Sequence, residues 1–349
     1  MSEGRLRELD VLRGVAAVTV LISHYTALYD HLHGVRNRLG FEFSEGGVYG
    51  VFLFFVISGF VIRMTLDRCE GWKDFVVSRF SRIFPPYWAA LLVTFVLLCW
   101  LKEPPPTWSQ LAVNLTMLQR FFGFEHLDAV YWTLNVELSF YCWMLVAFQC
   151  RLLRHLDFLI AAALLFQLVV SLAERHFAHR FSQGVQAVFL LEYVNFFGAG
   201  ILFYEIWSNR SSMARWALMA WCLANACAVP FRTFPCSPPP SWTLPATFLI
   251  LLVFWLAITN RLRWLVHPIT LYFGTISYTL YLVHDEIGRG LMNRMEQSGL
   301  PPLLTFLCAV VVSMFLATLI NFLVEKPAMR RIRERYRLWK NSSAPVKAG

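Results

Sequence analysis

Leu9-Asp10-Val11-Leu12-Arg13-Gly14-Val15-Ala16-Ala17-Val18-Thr19-Val20-Leu21-Ile22-Ser23-His24-Tyr25 is the stretch on which the fold turns. It is apolar enough for a helix crossing a bilayer, which takes about 20 mostly apolar residues. It nevertheless carries Arg13 and His24 inside that length. With a charge at this depth and no small-residue cleavage site, it reads as a retained helix rather than a cleaved signal peptide. Working outward, nine further segments of the same kind follow. The expected spans are 9–28, 47–66, 84–101, 135–152, 156–173, 185–206, 214–230, 244–260, 266–284 and 303–324. Their connections hold the turn formers, Pro104-Pro105-Pro106, Pro238-Pro239-Pro240 and Pro301-Pro302 among them.

The composition of the 349 residues agrees. Hydrophobic residues make up 57% and charged residues 15%, against roughly 45–50% and about 25% in soluble domains. A soluble enzyme, a disordered chain, a coiled coil and a disulfide scaffold are all disfavoured. Eight cysteines are present, none in a C-x-x-C pair, and they read as small buried apolar residues. The net charge of +9 would invite a nucleic-acid reading, but the basic residues sit at segment ends. With the N-terminus placed in the cytoplasm, 21 Lys and Arg fall on the inner side and nine on the outer side. That asymmetry predicts an all-α polytopic membrane protein of about ten spans with both termini cytoplasmic. Residues 1–330 form the membrane domain in this reading, and 331–349 a basic cytoplasmic tail.

Ionisable residues within spans are costly and mark candidate sites. Asp10 and Arg13 are three apart and can pair on one helix face. Arg13 and His24 are eleven apart, which returns to the same face about 16 Å further along the axis. Arg13 can simply snorkel, and His24 can be a satisfied interior histidine; the spacing alone leaves this open. Arg79 and Arg82, also three apart, suit phosphate oxygens, or are ordinary positive-inside flanking. Glu137 falls in the first turn of the fourth span, where the helix dipole favours a carboxylate. A paired or catalytic role is the other reading. His284 is expected near the outer surface, in an interfacial belt with the neighbouring tyrosines. Glu192 and Asn195 in the sixth span line a cavity or bond between helices. Phosphate-loop, dinucleotide, zinc-protease and nucleophile-elbow motifs are absent, and no metal site is expected.

In chain order, Leu9-Asp10-Val11-Leu12-Arg13-Gly14 with His24, Phe54-Phe55-Val56-Ile57-Ser58-Gly59-Phe60, Arg79-x-x-Arg82-Ile83 before Pro85-Pro86-Tyr87-Trp88, Trp132-Thr133-Leu134 with Val136-Glu137, Ile276-Ser277-Tyr278 with Leu280-Tyr281-Leu282 and His284, and Val324-Glu325-Lys326-Pro327 resemble the bacterial membrane acyltransferase-3 family. The resemblance runs over nearly the whole chain. It implies an inner-membrane enzyme that moves an acyl group, commonly acetyl, from cytoplasmic acyl-CoA to a hydroxyl of a surface or lipid-linked glycan. It implies His24 as the catalytic residue, with Arg13, Arg79 and Arg82 serving the acyl-CoA. Glu137 is expected to orient or charge-stabilise the imidazole, with Asp10, Trp132 and His284 in support. Acyl-CoA is a co-substrate rather than a resident cofactor; the bilayer and a glycan acceptor are the other expected partners, with no nucleic acid. Asp285-Glu286 departs from the more apolar segment many relatives have after the histidine. A small-solute or lipid transporter is the rival reading, with a non-catalytic scaffold behind it; the acceptor sugar and oligomeric state are not legible.

Overall fold

The computed structural model describes residues 6–43, 45–177, 188–228 and 240–342, which are helical with no strand among them. Apolar runs in lipid must satisfy their backbone groups internally, so each becomes a helix. Helix α1 (Arg7–Ser23) continues through a π-helical turn, His24–Leu28, into Tyr29–Leu32. It is followed by α2 (Glu45–Asp67), α3 (Trp72–Leu101), the short α4 (Trp108–Asn114) and α5 (Trp132–Gln149). Then come α6 (Leu156–Phe177), α7 (Val194–Trp207), α8 (Met213–Ala228) and α9 (Pro240–Ile258). Helices α10 (Pro268–Val283), α11 (Asp285–Gln297) and α12 (Pro302–Ile320) lead through a second π turn, Asn321–Glu325, into α13 (Lys326–Ser342).

Among the described residues, six helices are long and apolar enough to cross a membrane: Arg7–Leu32, Gly47–Asp67, Trp72–Leu101, Leu152–Glu174, Ser241–Ile258 and Pro302–Ser342. The four other expected spans fall on α5, α7, α8 and α10, of 18, 14, 16 and 16 residues. The spans expected at 185–206 and 214–230 lie partly outside the described residues. Side chains such as Leu92, Val96, Leu172, Leu249, Val311 and Phe315 are exposed on the outer helix faces, as lipid-facing surfaces require. This is a multi-pass membrane protein.

Helix α1 lies at the centre, against α2 on one side and α10 on the other, and α2 in turn packs on α7. Both crossings use glycine. A Cβ on Gly14 would meet the Gly274 backbone, and one on Gly274 would overlap the Asp10 carbonyl. At α2 and α7, Gly59 and Gly200 meet in the same way, the close helix approach that small residues permit. Burying α1 carries its polar residues into the interior.

Three features differ from the sequence reading, and for Asn195 one of its two alternatives holds. Helix α3 begins twelve residues before the expected start at 84, so Arg79 and Arg82 are helical. Pro85 and Pro86 lie inside it and deprive only the Ser81 and Arg82 carbonyls of their donors. The boundary expected at 330 falls within α13, which docks on α3 rather than trailing free. Cys99, Cys142, Cys150 and Cys227 are exposed rather than buried. Asn195 bonds between helices: it accepts from Gln167 Nε2 at 3.2 Å, and Asn225 donates to Gln167 Oε1 at 2.9 Å.

Candidate functional site

A partly open recess of about 100 Å³ is lined by Arg13, Arg79, Arg82, Ser58, Glu137, Tyr141 and Tyr281, among others. Helices α1, α2, α3, α5 and α10 thus bring the three expected arginines to one rim. The i, i+3 pairing of α1 holds: Arg13 Nη1 lies 3.5 Å from Asp10 Oδ1. Arg82 Nη1 is 2.9 Å from Oε1 of Glu325, a buried carboxylate that also accepts from Asn321 at 2.8 Å. The second π turn ends on Glu325. Arg79 has no carboxylate partner among the described residues. It donates to Thr65 Oγ1 at 3.3 Å and Ser78 Oγ at 3.0 Å, and its Nε is buried without a partner.

His24 lies deeper, at the start of the π-helical turn, a helical irregularity frequent at functional sites. Its Nδ1 is 3.1 Å from Asp285 Oδ1 and 3.2 Å from His284 Nε2. The two imidazoles stack, with centroids 5.0 Å apart. His284 Nδ1 faces the carbonyl oxygens of Tyr281 at 2.9 Å and Leu280 at 3.2 Å. Two acceptors there assign the proton to Nδ1 of a neutral His284, which leaves a lone pair on its Nε2. The facing Nδ1 of His24 is therefore the protonated nitrogen, shared with Asp285. Nε2 of His24 is the ring nitrogen these contacts leave unengaged, on a side chain that is 15% exposed.

Asp285 follows the last expected position of the ninth span and is itself fully buried. It accepts from Arg289 Nε at 2.5 Å and Nη2 at 2.9 Å. Burial raises its carboxyl, but Arg289 and then His24 outweigh that and hold it well below the usual carboxylate range. Tyr25 fixes the same corner, its hydroxyl donating to the His284 carbonyl at 2.6 Å.

Tyr281 connects the recess to the imidazole pair. It lines the recess, accepts from Thr133 Oγ1 at 2.9 Å and meets Phe54 edge-on, centroids 5.8 Å apart. Its ring centroid is also 5.6 Å from that of His284. His24 does not itself line the recess.

Two expectations are corrected here. Glu137 does not touch His24: its Oε1 accepts from Ser58 and Tyr141, at 2.5 Å each, on the rim side of Tyr281. The carboxylate against the imidazole is Asp285. His284 is fully buried rather than interfacial, because α10 ends there and α11, starting at Asp285, packs against α12 and α3. Trp132 lies at the start of α5, its ring 5.4 Å from that of Tyr193. Asp285 and Arg289 were missed. The available signal was the i, i+4 acid–base pair directly after a histidine that ends an apolar run. Among the described residues, no group of three or more His, Cys, Asp or Glu is arranged to hold a metal ion.

A family model described as an acyltransferase domain matches residues 6–322. The O-acetyl transferase of Shigella phage Sf6 is 36% identical over 92 residues, 26% of each chain. Nodulation protein 10 of Rhizobium leguminosarum bv. viciae is 33% identical over 168 residues, covering 40% of this chain and 43% of its own. The matched stretches thus span less than half the length of these two relatives. The exopolysaccharide production protein ExoZ of Rhizobium meliloti is 26% identical over 319 residues, 87% of this chain and 96% of its own. No solved structure matches. With the family model covering nearly its whole length, this chain belongs to the acyltransferase-3 family of membrane acyltransferases.

Proposed function

We propose that the chain is an O-acyltransferase of the bacterial inner membrane, with about ten spans and both termini cytoplasmic. It moves an acyl group, acetyl in the simplest case, from cytoplasmic acyl-CoA to a hydroxyl of a surface or lipid-linked glycan. The observation that carries this reading is the order of parts along one path. Three arginines line a recess together with Tyr281, the Tyr281 ring lies 5.6 Å from that of His284, and His284 Nε2 in turn faces His24 Nδ1 at 3.2 Å. The distribution of Lys and Arg supports the orientation, and the relatives named for O-acetyl transfer and exopolysaccharide production support the chemistry and the acceptor class.

In this mechanism the guanidinium groups hold the phosphates of the donor, and the pantetheine arm extends into the recess. His24 Nε2 takes the proton of the acceptor hydroxyl as its oxygen attacks the thioester carbonyl. The C–O bond forms, the C–S bond breaks, and the imidazolium returns its proton to the leaving thiolate. Asp285 and His284 act as positioning residues. They hold the proton on Nδ1, and Asp285 compensates the charge that develops on the ring. The test is transfer of label from radiolabelled acetyl-CoA to glycan by the chain in vesicles. His24→Ala is expected to remove transfer while leaving the protein inserted; undiminished transfer by that variant would end the catalytic assignment.

A further inference from the structure

Two of the guanidinium groups at the rim already have carboxylates, Arg13 from Asp10 and Arg82 from Glu325. Arg79 has only hydroxyl partners and a buried, unpartnered Nε. Arg333 on α13 likewise has no carboxylate partner among the described residues. Its Nε donates to Ser81 Oγ at 3.1 Å and its Nη2 to the Ser78 carbonyl at 3.3 Å. The charges that bear on it are the cations Arg79, Arg82 and Arg337. Arg333 is also fixed in place. Tyr336 donates to Asp74 Oδ1 at 2.8 Å, and Lys340 bonds both Asp74, at 3.0 Å, and Glu70, at 2.8 Å. These contacts tie α13 to the start of α3.

Cations gathered in a partly buried place repel one another, and an anion that joins them removes that cost. A guanidinium fork is shaped to bind phosphate oxygens. We infer that Arg79 and Arg333, linked through Ser78, form a phosphate-binding subsite, and that α13 is a wall of the donor site. The inference rests on the reading that acyl-CoA is the donor, whose nucleotide end carries the phosphates. An acidic lipid headgroup offers the same chemistry, so the experiment separates the two sources.

The full chain is reconstituted in vesicles of neutral lipid and in vesicles containing phosphatidylglycerol. Initial rates are measured with acetyl-CoA and with S-acetyl-pantetheine, which has the thioester but no phosphate. Arg333→Gln keeps a donor for Ser81 while losing the charge, and Arg333→Ala is its companion. The expected result is a KM for acetyl-CoA raised about tenfold, as loss of one charge-assisted contact implies. Unchanged kcat and unchanged kinetics with S-acetyl-pantetheine are expected in both vesicle types. Arg335→Ala, an exposed position one residue pair along α13, should leave all four measurements unaltered. Equal loss with both donors would show that Arg333 only holds α13 in place. A loss confined to phosphatidylglycerol vesicles would assign the subsite to lipid. An unchanged KM would remove the subsite and leave the donor reading standing, whereas failure of the unsubstituted chain to use acetyl-CoA at all would overturn both.

Discussion

Replacing Asp285 by Asn tests the positioning role most sharply, because it removes one charge and almost no volume. Asp285 Oδ1 lies 3.1 Å from His24 Nδ1. A unit-charge pair about 4 Å apart interacts by about 4 kcal/mol at an effective dielectric of 20. The amide oxygen still accepts a hydrogen bond, and His284 Nε2 still faces the ring, so part of this is kept. Against that, Arg289 loses its nearest counter-charge and opposes a second cation beside it, with Glu286 at 3.0 Å and the more distant Asp128 remaining to compensate. The net loss is about 3 kcal/mol of transition-state stabilisation, or roughly a hundredfold in kcat. The rim is untouched, so KM for acetyl-CoA should not move. The assay is the initial rate of acetyl transfer in vesicles across donor concentration. Orphaning Arg289 also destabilises the fold, which is measured separately by heating in detergent and following aggregation. Asp285→Asn combined with Arg289→Gln removes the orphan charge. It should regain stability and stay slow. A kcat for Asp285→Asn within threefold of the unsubstituted chain, or recovery of rate in the double variant, would refute the reasoning.

Other outcomes follow from the same contacts. Arg82→Ala strands the buried Glu325 and is expected to lower stability by about 2 kcal/mol, between surface and fully buried pairs; adding Glu325→Gln should restore most of it, and a wild-type KM in that double variant would show that Arg82 does not hold the donor. Gly274→Val forces a side chain into the Asp10 carbonyl and should cost at least about 1–3 kcal/mol, read as a lower aggregation temperature; an unchanged temperature would contradict the α1–α10 crossing.

Much of this was legible because membrane segments announce themselves by length. The helices and the Asp10–Arg13 pair follow from local pattern. The arginines were grouped only by the resemblance to the acyltransferase-3 family; their spacing alone read equally as snorkelling and positive-inside flanking. What escaped depends on how the chain turns at its ends. Pro85-Pro86 looked like a boundary, yet removes only two donors, and α3 runs through it. His284 looked interfacial because nothing in the apolar count foretells that α11 starts at once and packs against α12 and α3. Asp285 was passed over for the same reason: its partners, His24 and Arg289, come from 261 residues before it and four after. Glu137 was assigned to the imidazole by depth alone, and depth does not say which neighbour a side chain meets. The helix in the C-terminal stretch was hidden by its charge, which reads equally as a solvated tail.

The central claim is that a donor anchored at the arginine rim presents its reactive carbon to His24. The most direct measurement is a structure of the full chain with an acetyl-CoA analogue whose sulfur is replaced by methylene, so that the acyl group stays attached. The account predicts phosphates on the rim arginines, the Tyr281 ring displaced or flanked by the pantetheine arm, and an acyl carbonyl close enough that an acceptor oxygen about 3–3.5 Å from it also reaches His24 Nε2. An acyl carbonyl held on the Glu137 side of an unmoved Tyr281, with no opening toward His24, would contradict it.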